Sequence, residues 1–116
     1  LALEKRLYLK SLWMEVGQLP ALQRAALLLN LRDVQGGSVI CFIPYLGIAS
    51  RTEIAEMVGL PDEHFYQLWA ELPLDDSTIA QLLKLKRQQV INLRKTARER
   101  LTRRMKRLEE FSKGAA

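Results

Sequence analysis

The chain has 116 residues, 48% of them hydrophobic, with 18 Lys or Arg against 13 Asp or Glu and a formal net charge of +5. That length suits one compact domain, able to bury a core without disulfides or metal. A single cysteine excludes an intramolecular disulfide, and no apolar run approaches the roughly 18 residues that would cross a membrane.

Residues 3–16 carry Leu3, Leu7, Leu9, Leu12, Trp13 and Val16 at helical spacing. Gly17 ends that segment, and Pro20 suits the first turn of a second helix running through "ALQRAALLLNL" to about Leu31. "DVQGG" then breaks the pattern. "SVICFIPYLGIA" is rich in β-branched and aromatic residues, but Pro44 and Gly47 keep any element short. It reads as a buried connector with one extended stretch. Cys41 lies inside it and reads as a buried, reduced core residue, in keeping with a reducing cytoplasm.

Ser50 and Glu53 have the spacing of a capping box, so a third helix is expected from Arg51 to Gly59. "PDEHFYQLWAEL" reads as a fourth, closed by Pro73, with Phe65, Leu68, Trp69 and Leu72 as its apolar stripe. Asp75 or Asp76 caps a fifth, "STIAQLLK", and the sixth begins near Arg87 and continues to about Phe111. The expected fold is all-α: a bundle of about six helices with a C-terminal helix-turn-helix and a long basic last helix. The organisation expected is one helical domain over 1–116. Opening helices fill 1–31, an acidic helix pair lies within 32–74, and 75–112 holds the helix-turn-helix. Shifting "TEIAEMVGL" by 25 residues lays it over "STIAQLLKL". Duplication or shared packing rules would both give that match.

Charge separates the two pairs. Residues 84–116 contain twelve Lys or Arg and three Glu, a net of +9, whereas residues 1–83 contain six against ten acids, a net of −4. A cationic block at one end points to a polyanion, nucleic acid or an anionic membrane surface. In "KLKRQQVINLRKTARERL", Val90, Leu93, Ala97 and Leu101 form the inward stripe. Arg87, Gln88, Ile91, Asn92 and Lys95 then face out, with Gln89 at the margin. Arg pairs bidentately with guanine, and Asn or Gln with adenine, so these six are the candidate base-reading residues. Lys84, Lys86, Arg94 and Arg98 are the candidate contacts to the DNA backbone. His64 has no His or Cys partner at metal-ligand spacing, so no metal, cofactor or catalytic role is expected.

From Thr78 to Leu101 the chain resembles region four, the C-terminal promoter-binding domain of bacterial sigma factors. Their smaller members often read E-I-A-E-I-L-G-L-S-x-x-T-V-K-S-R-L-x-R-A-R-E-R-L, against T-I-A-Q-L-L-K-L-K-R-Q-Q-V-I-N-L-R-K-T-A-R-E-R-L here. "LPALQRAALLL" (19–29) likewise resembles the helix that opens region four, L-P-x-x-Q-R-x-A-L. The two segments cover about 35 residues of the chain. The resemblance implies a bacterial, cytoplasmic protein that binds double-stranded promoter DNA and the RNA polymerase core, with an anti-sigma or regulator protein as a further partner. It places Arg87, Gln88 and Asn92 where primary sigma factors read the −35 element. Gln88 replaces a glutamate there and Asn92 a glutamine, so a different base preference is expected. Lys84 stands where the family has a turn glycine, and Lys86 where Ser or Thr would cap the recognition helix. Residues 32–74 replace a short loop, an insertion that would either cover the hydrophobic surface through which region four of sigma factors grips the polymerase or add a docking surface. The alternative reading is a protein-interaction module that regulates transcription, its basic helix meeting an acidic protein.

Overall fold

In a computed structural model describing residues 3–115, with side chains described for 3–110, the chain is all-helical. It contains six α-helices: α1 Leu3–Val16, α2 Ala21–Leu28, α3 Arg51–Val58, α4 Asp62–Leu68, α5 Asp76–Leu83 and α6 Arg87–Ala115. There is no strand among the described residues, only an isolated bridge between Arg32 and Ser38.

α2 is the hub. Gln23, Ala25, Ala26, Leu27 and Leu28 are all buried, so the helix is enclosed on nearly every side and packs against both α6 and α3. The two alanines keep its surface low enough for close approach. Pro20 sits one position earlier than expected, at the N-cap, and α2 ends at Leu28 rather than near Leu31. Contacts with a distant segment end it there. Asn30 donates from Nδ2 to the Leu74 carbonyl at 2.7 Å, and the Leu74 N–H donates to the Leu29 carbonyl at 2.8 Å. The second bond occupies the Leu29 carbonyl, which another helical turn would have used. Arg24 ties the other side, from Nε to the Met57 carbonyl and from Nη1 to the Leu19 carbonyl.

The connector differs from expectation. Val39–Phe42 form a short 3-10 helix instead of an extended stretch. At three residues per turn, Ile40 and Ile43 fall on one side and are buried, while Phe42 is exposed and Cys41 only half-buried. The Asp33 carboxylate closes the preceding turn, accepting the N–H groups of Gln35 and Gly37. The fourth helix is also shorter than its stripe suggests. It tightens into a 3-10 turn at Trp69–Glu71, so Phe65 is fully buried while Leu68, Trp69 and Leu72 are only partly so.

The 25-residue correspondence is geometrical as well as sequential. Ser50 and Asp75 both occupy N-caps, accepting from the Glu53 and Thr78 N–H groups. The Ser50–Glu53 capping box is complete in both directions. Gly59 and Lys84 both end their helices in the left-handed region, at φ 75° and 58°. The next residue then closes each end: Leu60 N–H donates to the Ala55 carbonyl at 3.0 Å, and Leu85 N–H to the Ala80 carbonyl at 2.9 Å. Ile54 and Ile79 are both fully buried, as are Phe65 and Val90.

Candidate nucleic-acid interface

The cationic segment begins at the turn between α5 and α6. Lys84 adopts φ 58°, ψ 44°, a conformation that costs an L-residue with a Cβ roughly 1–2 kcal/mol and costs glycine nothing comparable. The chain has placed a lysine at the position where a glycine would serve the backbone best. Lys86 precedes α6 and offers no side-chain acceptor for the open N–H groups. Gln89 compensates in part, its Oε1 accepting the Lys86 N–H at 2.8 Å. That is the reach-back half of a capping box, with the forward half missing. The candidate base-reader at the margin is therefore engaged in capping.

The α6 seam is built from Val90, Ala97 and Leu101, all buried, with Leu93 partly buried. Opposite them, Arg87, Gln88, Asn92, Lys95 and Arg98 are exposed, as are Lys84 and Lys86. Gln88 Nε2 donates to Asn92 Oδ1 at 3.0 Å. The two amides form one surface unit that retains an acceptor on Gln88 and donors on Asn92, the complement that adenine presents in the major groove. Ile91 is half-buried and offers only part of its side chain.

Arg94 is where the sequence-based assignment and the structure diverge most. Its Nη2 lies 2.5 Å from Asp76 Oδ1, and the two side chains retain only 12% and 18% of their exposure. Arg94 is thus committed inside the protein, bracing α6 against the first turn of α5. Its spacing carried the signal: Arg94 follows Val90 by four and precedes Ala97 by three, which puts it on the inward face. Sequence reasoning also missed Arg104, which bonds Glu15 of α1 at 3.3 Å, and the same spacing rule from Leu101 and Ala97 would have flagged it.

The Asp75 carboxyl is held below the ordinary carboxylate range, chiefly by the Thr78 backbone N–H, then by the Thr78 hydroxyl, with the charges of Arg32 and Arg87 adding to the effect. His64 is exposed on α4, and no His, Cys, Asp or Glu cluster suited to a metal occurs among the described residues. A recess of about 620 Å³ lies between α1 and the far half of α6, against Glu15, Arg104, Arg107, Leu108 and Glu110. No helix among the described residues is long and apolar enough to cross a membrane.

Comparison of the chain with protein-family models, with curated proteins and with solved structures finds no match.

Proposed function

We propose that α5, the Lys84 turn and the first turns of α6 are a sequence-specific helix-turn-helix for double-stranded DNA, within a sigma-like initiation factor of the bacterial cytoplasm that also contacts RNA polymerase. The observation that carries the reading is the left-handed backbone at Lys84. It falls on the residue that aligns with the turn glycine of region four. This supports the register in which Arg87, Gln88 and Asn92 lead an exposed helix. A helix-turn-helix enters the major groove with the N-terminal end of its second helix.

In this reading Gln88 and Asn92 recognise base edges together, Arg87 reads beside them, and Lys95 extends the contact by one turn. Lys84, Lys86 and Arg98 hold phosphates. Gln89 keeps the N-terminus of α6 closed, and Arg94 fixes its angle to α5 through Asp76. Polymerase, or an anti-sigma regulator, would meet other faces of the chain. Selection from random duplex DNA, followed by gel shifts over a salt series, tests the proposal. The expected result is an enriched motif, with log affinity falling against log salt by about 0.9 per phosphate neutralised. No enrichment together with a flat salt response would favour a module that binds an acidic protein.

A further inference from the structure

Two surfaces of opposite sign are left over once the proposed DNA contacts are assigned. The first is cationic. Arg100, Arg103 and Arg107 recur at three- and four-residue spacing along α6 and are exposed. At about 100° and 1.5 Å per residue, their stripe lies roughly a quarter-turn around the helix from Gln88, Asn92 and Lys95. Arg103 and Arg107 are also some 16–22 Å farther along the axis than Asn92. A major groove about 8.5 Å deep, entered by the N-terminal end of the helix, does not extend that far. Arg104, between them, is spoken for by Glu15.

The second surface is anionic. Glu56, Asp62 and Glu63 lie on α3 and the first turn of α4 and are exposed, as is Glu53, whose carboxylate closes the Ser50 capping box. The one cation in those two helices, Arg51, lies 4.2 Å over the Tyr66 ring. No ion pair among the described residues engages Arg100, Arg103 or Arg107, nor Glu56, Asp62 or Glu63, although Arg107 lines the recess that also holds Glu15 and Glu110. α4 is also displayed as α6 is. A buried Phe65 anchors it where Val90 anchors α6, behind a left-handed turn at Gly59 where α6 has Lys84.

We propose that these surfaces are each other's partners between two copies of the chain: the Glu56–Asp62–Glu63 face of one copy docks on the Arg100–Arg103–Arg107 stripe of the next. The contact is heterologous, head to tail, so it propagates rather than closing as a symmetric pair. Each copy keeps the first turns of α6 uncovered. Neighbours on one duplex would then bind cooperatively, although the contact itself requires no DNA and stands apart from the DNA-binding proposal. Exposed ion pairs are individually weak and screened within about 8 Å at physiological salt, so the assembly is dilute-dissociable and salt-sensitive.

Sedimentation of the whole chain without DNA tests this. The expected result is concentration-dependent association near 50 mM salt that weakens at least tenfold near 500 mM, a range over which the Debye length falls to a few ångströms, about 4 Å. The reversed chains E56K/D62K/E63K and R100E/R103E/R107E, each checked for helical content and melting, should sediment as monomers alone. Mixed together they should associate again, because each supplies the sign the other lacks. Should a triple reversal fail to fold, D62N and R103Q provide the same comparison, with a several-fold loss expected for each. A monomer at every concentration and salt, association untouched by either reversal, or a mixture that stays monomeric would overturn the proposal. In those cases the basic stripe would belong to a different acidic partner.

Discussion

Arg94 and Asp76 offer the sharpest test of how α6 is held. Breaking a buried pair costs about 3–5 kcal/mol because one charge is left unsolvated, whereas an exposed pair contributes about 0–1 kcal/mol. With 12% and 18% of their side chains exposed, these two stand nearer the buried limit. The pairing runs through a single guanidinium nitrogen, and Arg94 Nη1 is buried without a hydrogen-bond partner, which lowers the expectation. Arg94→Ala should therefore cost about 2–3 kcal/mol, and Asp76→Ala a similar amount. The double variant should cost clearly less than their sum, since no lone charge remains. Equilibrium unfolding in urea on the three variants gives the coupling directly. DNA provides a second readout. A bracing Arg94 predicts lower affinity with an unchanged salt slope, whereas a phosphate contact predicts a slope smaller by about 0.9. Additive losses under about 0.5 kcal/mol, or the reduced slope, would refute the bracing role.

Lys84→Gly should raise stability by about 0.5–1 kcal/mol, the left-handed strain relieved less the entropy glycine loses on folding. The same change should reduce the salt slope of DNA binding, and Lys84→Asn should reproduce that reduction without the full gain in stability. Phe65→Ala should cost about 3–5 kcal/mol in chemical denaturation and Leu68→Ala markedly less, because only Phe65 is completely enclosed. The lowered pKa of Asp75 means that its cap stabilises the fold above the unfolded carboxylate value, about 3.9, and is lost as pH falls through the lower folded value. Melting temperatures taken down to pH 2 should decline less steeply in Asp75→Asn than in the native chain. Gln88→Ala should relax base preference at one position at a cost of about 1–3 kcal/mol, while Arg98→Ala should weaken specific and random duplexes alike; equal losses on both for Gln88→Ala would remove it from the reading set.

The helices were legible where a local rule sufficed. α1 falls on the residues its leucine spacing predicts, the Ser50–Glu53 box starts α3, and the Asp75 cap starts α5. Illegible were the features decided at a distance. α2 stops early because Asn30 and Leu74 meet across the chain. "VICFI" coils because burying Ile40 and Ile43 together requires a three-residue period, although its β-branched composition pointed to extension. At the candidate site, exposure of Arg87, Gln88, Asn92 and Lys95 follows from the inward stripe alone. The engagement of Gln89 and Arg94 depends on a poor cap at Lys86 and an acid on the neighbouring helix. The spacing puts Arg94 on the inward face, but its partner Asp76 lies on another helix, and the reach of Gln89 back to Lys86 is a contact that face assignment does not show.

The two capped units begin alike and diverge in charge and in packing beyond the first turn of their second helix. Both have an eight-residue helix, a left-handed closing residue and a buried anchor at the same offset. Beyond the anchor they differ. α4 has only Phe65 fully buried and gives way to a 3-10 turn after seven residues. α6 repeats its anchor at Ala97 and Leu101, packs along α2 and α1, and runs for 29 residues. A helix held at one point presents a small acidic face. A helix held along a seam can carry a dense row of cations through their mutual repulsion, because apolar burial at about 25 cal/mol per Å² and the bonds to Asp76 and Glu15 offset it. The same seam would keep Gln88 and Asn92 at a fixed angle to the turn, and base-edge hydrogen bonding requires that fixed geometry.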